Sequence, residues 1–324
     1  MRQLRLVLNV FLWPPALLLS GLCATLSIAA QWGRVSLRWD LATQFAPMWL
    51  AGSAICLVTA LAFRHNLRWI LVTASLVGLA FAASLVIPEF LRPAGPRAPA
   101  NAPGQLKIVQ FNVWHDNPDP AVIIDWLNAE RPDIAVIEEN STAFRQALAT
   151  RGRGWSATCL QCEVVILSRQ PALSSDTPPR ERRDAPGPLT QAAFADRHGP
   201  FEVIGVHNAW PTDSDQPVQE GRLASVIADR PRERLIVTGD FNSTPWSFQR
   251  RRWDEVFGIP RRERALATWP AHNYKRLQWL GLPFLPIDHV YAGPGWGTVS
   301  VRRGPRLSSD HYPLIVTLAP VAPR

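Results

Sequence analysis

Three long apolar runs near the start of the chain, Leu6 to Ala30, Phe45 to Phe63 and Trp69 to Ile87, contain no charged residue. Each approaches the roughly 20 residues with which a helix crosses the hydrocarbon core of a bilayer. Helices apolar on every side have no stable place at a soluble surface, so residues 1–87 are expected to form a membrane anchor of three transmembrane helices. The basic start Met1-Arg2-Gln3-Leu4-Arg5 also fits a cleaved signal peptide, but the two runs that follow at once favour an anchor. Pro14 and Pro15 should kink or delay the first helix, a defect membrane helices tolerate better than soluble ones.

Of the net charge of +8, +6 belongs to residues 1–105, where eight Arg stand against Asp40 and Glu89, and +2 to the remainder. The basic balance therefore belongs mainly to the anchor and does not mark the rest as a nucleic-acid binder. Arg2 and Arg5 before the first run, with Arg64 and Arg68 between the second and third, favour a cytoplasmic N-terminus by the positive-inside rule over the first loop with Arg34, Arg38 and Asp40. Three crossings then place everything after Ile87 on the far side. In a bacterium-like cell that describes a multi-pass inner-membrane protein with a periplasmic domain, although Arg92 and Arg97 weigh against it. Residues 88–105, rich in Pro, Ala and Gly, read as a semi-extended linker, and residues 106–324 as one soluble domain.

In that domain, short β-branched runs at 106–111, 134–137, 164–167, 192–194, 201–206, 235–237, 287–291 and 314–318 are bounded by turn residues and read as strands. Helical spacing appears at 120–129 and 219–229. Many strands with a few helices suggest a sheet-on-sheet core covered by helices.

The chemically interesting groups fall at the ends of these runs. Asn112 follows the first, in Gln110-Phe111-Asn112-Val113, where an Asn ordinarily just caps a turn. The second ends in Glu138-Glu139; neighbours on a strand point to opposite faces, so one of the two should look into a site. A carboxylate there suits a hard cation such as Mg²⁺, which prefers oxygen ligands. His207 ends Val203-Ile204-Gly205-Val206-His207-Asn208. Leu235-Ile236-Val237 runs into Gly239-Asp240-Phe241-Asn242, whose Asp240 and Asn242 should share a face. Ile287-Asp288-His289 and Ser309-Asp310-His311 each pair a carboxylate with an imidazole, the arrangement general base work requires.

In this order the motifs resemble the endonuclease/exonuclease/phosphatase superfamily, which includes deoxyribonuclease I, apurinic endonucleases, sphingomyelinases and inositol polyphosphate phosphatases, over the whole of residues 106–324. Thr244-Pro245-Trp246-Ser247 and Ala267-Thr268-Trp269-Pro270 look like its membrane-attached bacterial branch. The resemblance implies an α/β four-layer sandwich, two packed β-sheets flanked by helices, and hydrolysis of a P–O bond by in-line attack of water, with Mg²⁺, or Mn²⁺ in its place. It implies a metal site of Asn112, Glu139 and Asp310, with Glu139 the principal ligand. It also implies that Asp240 and Asn242 orient the attacking water, that His207 steadies developing negative charge, and that His311, oriented by Asp288, contacts the scissile phosphate. Glu138 stands where the family has Gln and is left outside the core site, as is His289.

Cys159-Leu160-Gln161-Cys162 reads as a disulfide, a redox motif or half a zinc site, and no second Cys pair supports zinc. Arg250, Arg251, Arg252, Arg261, Arg262, Arg264, Lys275 and Arg276, interleaved with Trp246, Trp253, Trp269 and Trp279, read as a surface for a nucleic-acid backbone or for lipid headgroups, or as a solvated face with the Trp in the core. The expected partners are a phosphate-ester substrate, nucleic acid or lipid headgroup, and the membrane; no protein partner is predicted. A non-catalytic, membrane-tethered binding protein is the competing class.

Overall fold

The computed structural model describes residues 2–62, 65–177, 188–271 and 282–321. Two compact units are present: Met1–Arg92 with Pro245–Arg252, and Pro93–Thr244 with Trp253–Arg324.

The first unit contains helices α1 (Arg2–Ala30), α2 (Leu37–Thr43), α3 (Ala46–Ala62) and α4 (Arg68–Leu91), the last running on through Pro88. Two segments, Val10–Arg34 and Arg68–Leu91, are long and apolar enough to cross a membrane. The expected span from Phe45 to Phe63 falls instead in a helix pair, α2 and α3, bent by 52°. Helix α3 alone has 17 residues, about 25 Å of rise against a core about 30 Å thick. Outward-facing positions carry exposed Phe11, Leu18, Val58 and Ile70, an apolar surface that water does not favour. Inside the bundle the Ser20 and Ser75 hydroxyls lie 3.2 Å apart, a polar contact suited to helix pairs in lipid.

The second unit is built on strands β1 (Leu106–Asn112), β2 (Ile134–Glu138), β3 (Ser156–Ala157), β4 (Val165–Ser168), β5 (Ser174–Asp176), β6 (Leu189–Asp196), β7 (Gly199–His207), β8 (Leu235–Asp240), β9 (Asp288–Ala292), β10 (Trp296–Arg303) and β11 (Leu314–Pro320). They form two mixed sheets, β10-β11-β1-β2-β4-β3 and β5-β6-β7-β8-β9. Ile108, Val136, Ile166 and Val316 from one sheet meet Ala192, Val203, Ile236 and Val290 from the other. Helices α5 (Pro120–Glu130) and α6 (Thr142–Arg151) cover the outer face of the first sheet through Ile123, Leu127, Phe144 and Leu148. On the second sheet, α7 (Gln216–Ala228) and the C-terminal half of α8 (Phe248–Phe257) do so through Leu223, Ile227 and Phe257. The expected four-layer sandwich is present.

Candidate active site

The alternation that fills the sandwich core also builds the site. Side chains two apart on a strand share a face, so β1 carries Ile108, Gln110 and Asn112 on the core side, and β2 carries Val136 and Glu138. On the opposite sheet β7 carries Val203 and His207, β8 carries Ile236 and Asp240, and β9 carries Val290 and Asp288. The inner residues of each series are core apolars and the last are polar, so the site begins where the core stops. Register fixes the neighbours: Asn112 stands opposite Glu138, His207 opposite Asp240, and Asp240 opposite Asp288. At Gly239, φ is +156° and an added Cβ would overlap the Val206 carbonyl, so only glycine permits this approach just before Asp240.

Asn112 Nδ2 bridges two carboxylates, donating to Glu139 Oε1 at 2.9 Å and Asp240 Oδ2 at 3.1 Å. Glu139 Oε2 accepts from the His115 amide at 2.6 Å. Asp240 Oδ1 accepts from the Asn242 amide at 2.8 Å, and Asn242 Nδ2 donates to the Asn208 carbonyl at 2.8 Å. His311 Nδ1 lies 2.9 Å from Asp288 Oδ2, and its Nε2 lies 3.5 Å from Asp240 Oδ2. His207 Nε2 stands 4.0 Å from Glu139 Oε1 and 3.9 Å from Asp240 Oδ2. Ligand atoms of Asp240, Asp288 and His311, all buried, lie within 4.8 Å of one another.

Asn112, Glu139, His207, Asp240, Asn242, Asp288 and His311 thus form one connected group. Asp310 stands at its side: Oδ2 accepts from Trp269 Nε1 at 3.3 Å, and Oδ1 is buried without a hydrogen-bond partner among the described residues.

Burial disfavours charge on His207, Asp240, Asp288, Asp310 and His311, and the charges around each decide how far it prevails. For His311, burial is outweighed by the carboxylates of Asp288, Asp240 and Asp310, which hold the imidazole well above its usual range. His207 is also raised: burial opposes it, but Glu163, Asp240 and Glu139 prevail. Burial pushes Asp240 up to about 6 against the pull of His311. Asp288 is lowered despite its burial, because His311 attracts its charge and His311 and Gln110 donate to it. Burial, with Glu139 nearby, raises Asp310.

Glu138 requires a correction. It neither faces solvent nor sits apart from the site: it is fully buried, and Gln110 Nε2 joins its Oε2 at 3.0 Å to Asp288 Oδ1 at 2.7 Å. Burial, then the charges of Asp288 and Asp240, raise it well above the carboxylate range. Strict alternation fails here because Glu139 lies just past the strand end with φ +56°, a left-handed conformation that costs about 1–2 kcal/mol in a non-glycine residue. Both carboxylates therefore reach the site, Glu138 from behind and Glu139 from the open side.

Sequence reasoning missed Glu163, whose Oε1 lies 2.7 Å from His207 Nδ1 and turns Nε2 toward the site. It also missed Gln110. A carboxylate directly before the β4 apolar run was the available signal for Glu163; nothing in the spacing ties it to a histidine 44 residues on. His289 is not in the group: it is buried between Glu263 Oε1 at 2.7 Å and the Ser243 carbonyl at 2.8 Å, bracing the loop after Asn242. Cys159 and Cys162 are joined by a disulfide, and the Asn140 side chain donates to the Leu160 and Cys162 carbonyls beside it, each at 2.9 Å.

The basic-aromatic stretch is largely internal. Arg250, Arg261 and Arg262 are buried, Arg261 pairs with Asp254 at 2.9 Å, and Arg262 NH2 donates to the Ala292, Gly293 and Trp296 carbonyls. Trp246 and Trp269 are buried too; Lys275, Arg276 and Trp279 lie outside the described residues.

Comparison with known proteins matches this arrangement to a family. No curated protein matches the chain. Among solved structures, a functionally unknown conserved protein from Enterococcus faecalis V583 aligns at TM-score 0.55 and 15% identity, over 67% of this chain and 100% of its own. D. rerio TDP2 complexed with a single strand DNA product aligns at 0.53 and 16%, over 66% and 99%. An endonuclease/exonuclease/phosphatase from Bacteroides vulgatus aligns at 0.52 and 16%, over 67% and 99%. At such identities these likenesses establish the fold. The profile of the Endonuclease/Exonuclease/phosphatase family matches residues 109–311, from β1 through His311, and the chain belongs to that family.

Proposed function

We propose that this protein is a membrane-anchored, divalent-metal-dependent phosphodiesterase that hydrolyses P–O bonds by in-line attack of water, with residues 1–87 as anchor, 88–105 as linker and 106–324 as catalytic domain. The observation that carries the reading is the buried convergence of Asp240, Asp288 and His311 beside the Asn112-bridged pair of Glu139 and Asp240. Family members are generally phosphoester hydrolases and typically need a divalent metal.

The donor set fits such a cation. Glu139, Asp240, Asp288 and Asp310 outnumber the imidazoles of His207 and His311, and the buried Asp310 Oδ1 lacks a partner among the described residues. Hard oxygen donors suit Mg²⁺ or Mn²⁺, and Glu139, Asp310 and Asn112 would hold the ion. When bound it supplies Lewis-acid polarisation of a phosphoryl oxygen. The side chains do the rest. Asp240, fixed by Asn112 and the Asn242 amide, orients the attacking water and takes its proton. His311, kept protonated by Asp288, donates from Nε2 to a phosphoryl oxygen, and His207, set by Glu163, stabilises charge developing on the opposite side.

For the substrate, the complex of D. rerio TDP2 with a single strand DNA product supports a nucleic-acid phosphodiester. Long exposed-apolar helices support the second reading, a lipid or inositol phosphate headgroup, since a tether raises the local concentration of lipid. The buried arginines reduce the surface cations that could track a long phosphate backbone.

Full-length protein in detergent with Mg²⁺ should turn over a simple phosphodiester, and the ranking of DNA, RNA and phospholipid vesicles should separate the substrate classes. Asp240→Ala and His311→Ala should each lower turnover about 10²-fold or more with the circular dichroism unchanged. Absence of turnover on every substrate with metal bound would favour the non-catalytic binding protein.

A further inference from the structure

We propose that Asp40 is a positioning residue that latches the polypeptide leaving the candidate active site to the N-terminal helices, and that this latch requires three membrane crossings. The inference rests on the anchored phosphoesterase reading above. Asp40 is the only acidic residue among the first 88, yet it is 4% exposed. Its Oδ1 accepts from the Phe248 amide at 2.9 Å, and its Oδ2 accepts from the Ser247 hydroxyl at 2.6 Å and the Gln249 amide at 3.1 Å. The Ser247 oxygen in turn accepts from the Arg250 amide at 3.1 Å. The first amides of a helix have no partner within it; at α8 they are met by Ser247 and by a carboxylate about 200 residues earlier in the chain.

The surroundings are shaped for that approach. A Cβ at Gly33 would lie 2.8 Å from Asp40 Oδ1 and 3.1 Å from the Phe248 ring. The Arg34 guanidinium lies 5.1 Å from that ring, and the Arg34 carbonyl accepts from Arg252 NH2 at 3.0 Å. Residues 245–252 accordingly fold with the first 92, although Thr244, one residue before them, closes the loop that carries Asp240, Asn242 and the His289-bonded Ser243. Asp40 holds one end of this loop and the β8 strand holds the other.

The crossing count follows from the same bonds. With α1 and α4 both spanning, a non-spanning α3 would put Asp40 and everything after residue 92 on opposite sides of the bilayer, out of each other's reach. A crossing by α3 returns them to one side, whichever orientation the protein takes.

The test uses full-length protein in lipid nanodiscs. In Asp40→Ala, exchange of the Phe248, Gln249 and Arg250 amides should rise about tenfold, and the kcat on bis(p-nitrophenyl) phosphate with Mg²⁺ should fall with KM unchanged. Asp40→Asn, which keeps a capping oxygen, should largely restore both. Should Asp40→Ala not fold, Asp40→Asn and Ser247→Ala give the same comparison, Ser247→Ala releasing the Arg250 amide. Unchanged exchange in Asp40→Ala overturns the latch, and raised exchange with unaltered kcat overturns the positioning role. If the wild type turns over nothing, the phosphoesterase reading fails while amide exchange still decides the latch. In sealed proteoliposomes, single cysteines at Val35 and Asn66, which flank α2 and α3, should react with an impermeant thiol reagent from opposite sides; reaction of both from one side overturns the crossing count.

Discussion

Burial, with the charges of Asp288 and Asp240 beside it, outweighs the Gln110 hydrogen bond and His311 and keeps the Glu138 carboxyl neutral well above its ordinary 4.5. The folded state therefore holds a proton that the unfolded chain releases near that value. Stability is full below it and drains as pH rises toward the folded value, by about 1.4 kcal/mol per pH unit in that window. Glu138→Gln, which copies the neutral acid in shape, should keep the activity and flatten this loss in a series of melting temperatures against pH. Asp240 bears on activity instead. Raised to about 6, it is protonated and unable to accept a proton below that pH, so kcat/KM should fall along an acid limb near pH 6. A bound cation would draw the limb lower. A limb surviving in Asp240→Asn would assign it to another group.

At the scale of elements, the loop before β4 holds Glu163 against His207 and is closed by the Cys159–Cys162 disulfide. A ring this small adds little chain-entropy stabilisation, so its effect should be local. Reduction, or Cys159→Ser with Cys162→Ser, should lower turnover about tenfold, as loss of a positioned group does, while moving the melting temperature little. Glu163→Gln should lower turnover similarly without touching the bridge. The sequence showed His207 plainly, because it ends an apolar strand, but not Glu163, because strand order and not spacing brings them together. The same contrast runs through the fold. Strands with alternating or continuous apolar residues were legible, whereas β5 is exposed and β10 buries little beyond Trp296 and Gly297. Helix α6 buries only Phe144 and Leu148, too thin a stripe to mark a helix. The arginines from 250 to 262 read as surface because composition records charge but not the carbonyls and acids that distant segments bring to it.

For the whole molecule, the excess of site carboxylates over imidazoles makes cation binding and folding linked events. Saturating Mg²⁺ at about 100 times its dissociation constant should add about 2.7 kcal/mol, visible as a rise in melting temperature that EDTA reverses and that Asp310→Ala diminishes. An unchanged melting temperature would count against the donor set. The order of the first sheet has a further consequence. Strand β1 lies at its centre, paired on one side with β2 and on the other with β11, Leu106 opposite Leu318, across about two hundred residues of chain. Such distant pairing is slow and must wait for the later strand to be synthesised. Until then β1 keeps one edge unpaired at the centre of the sheet, so the sandwich closes only when almost the whole chain has been made, and its first strand waits longest for its last partner.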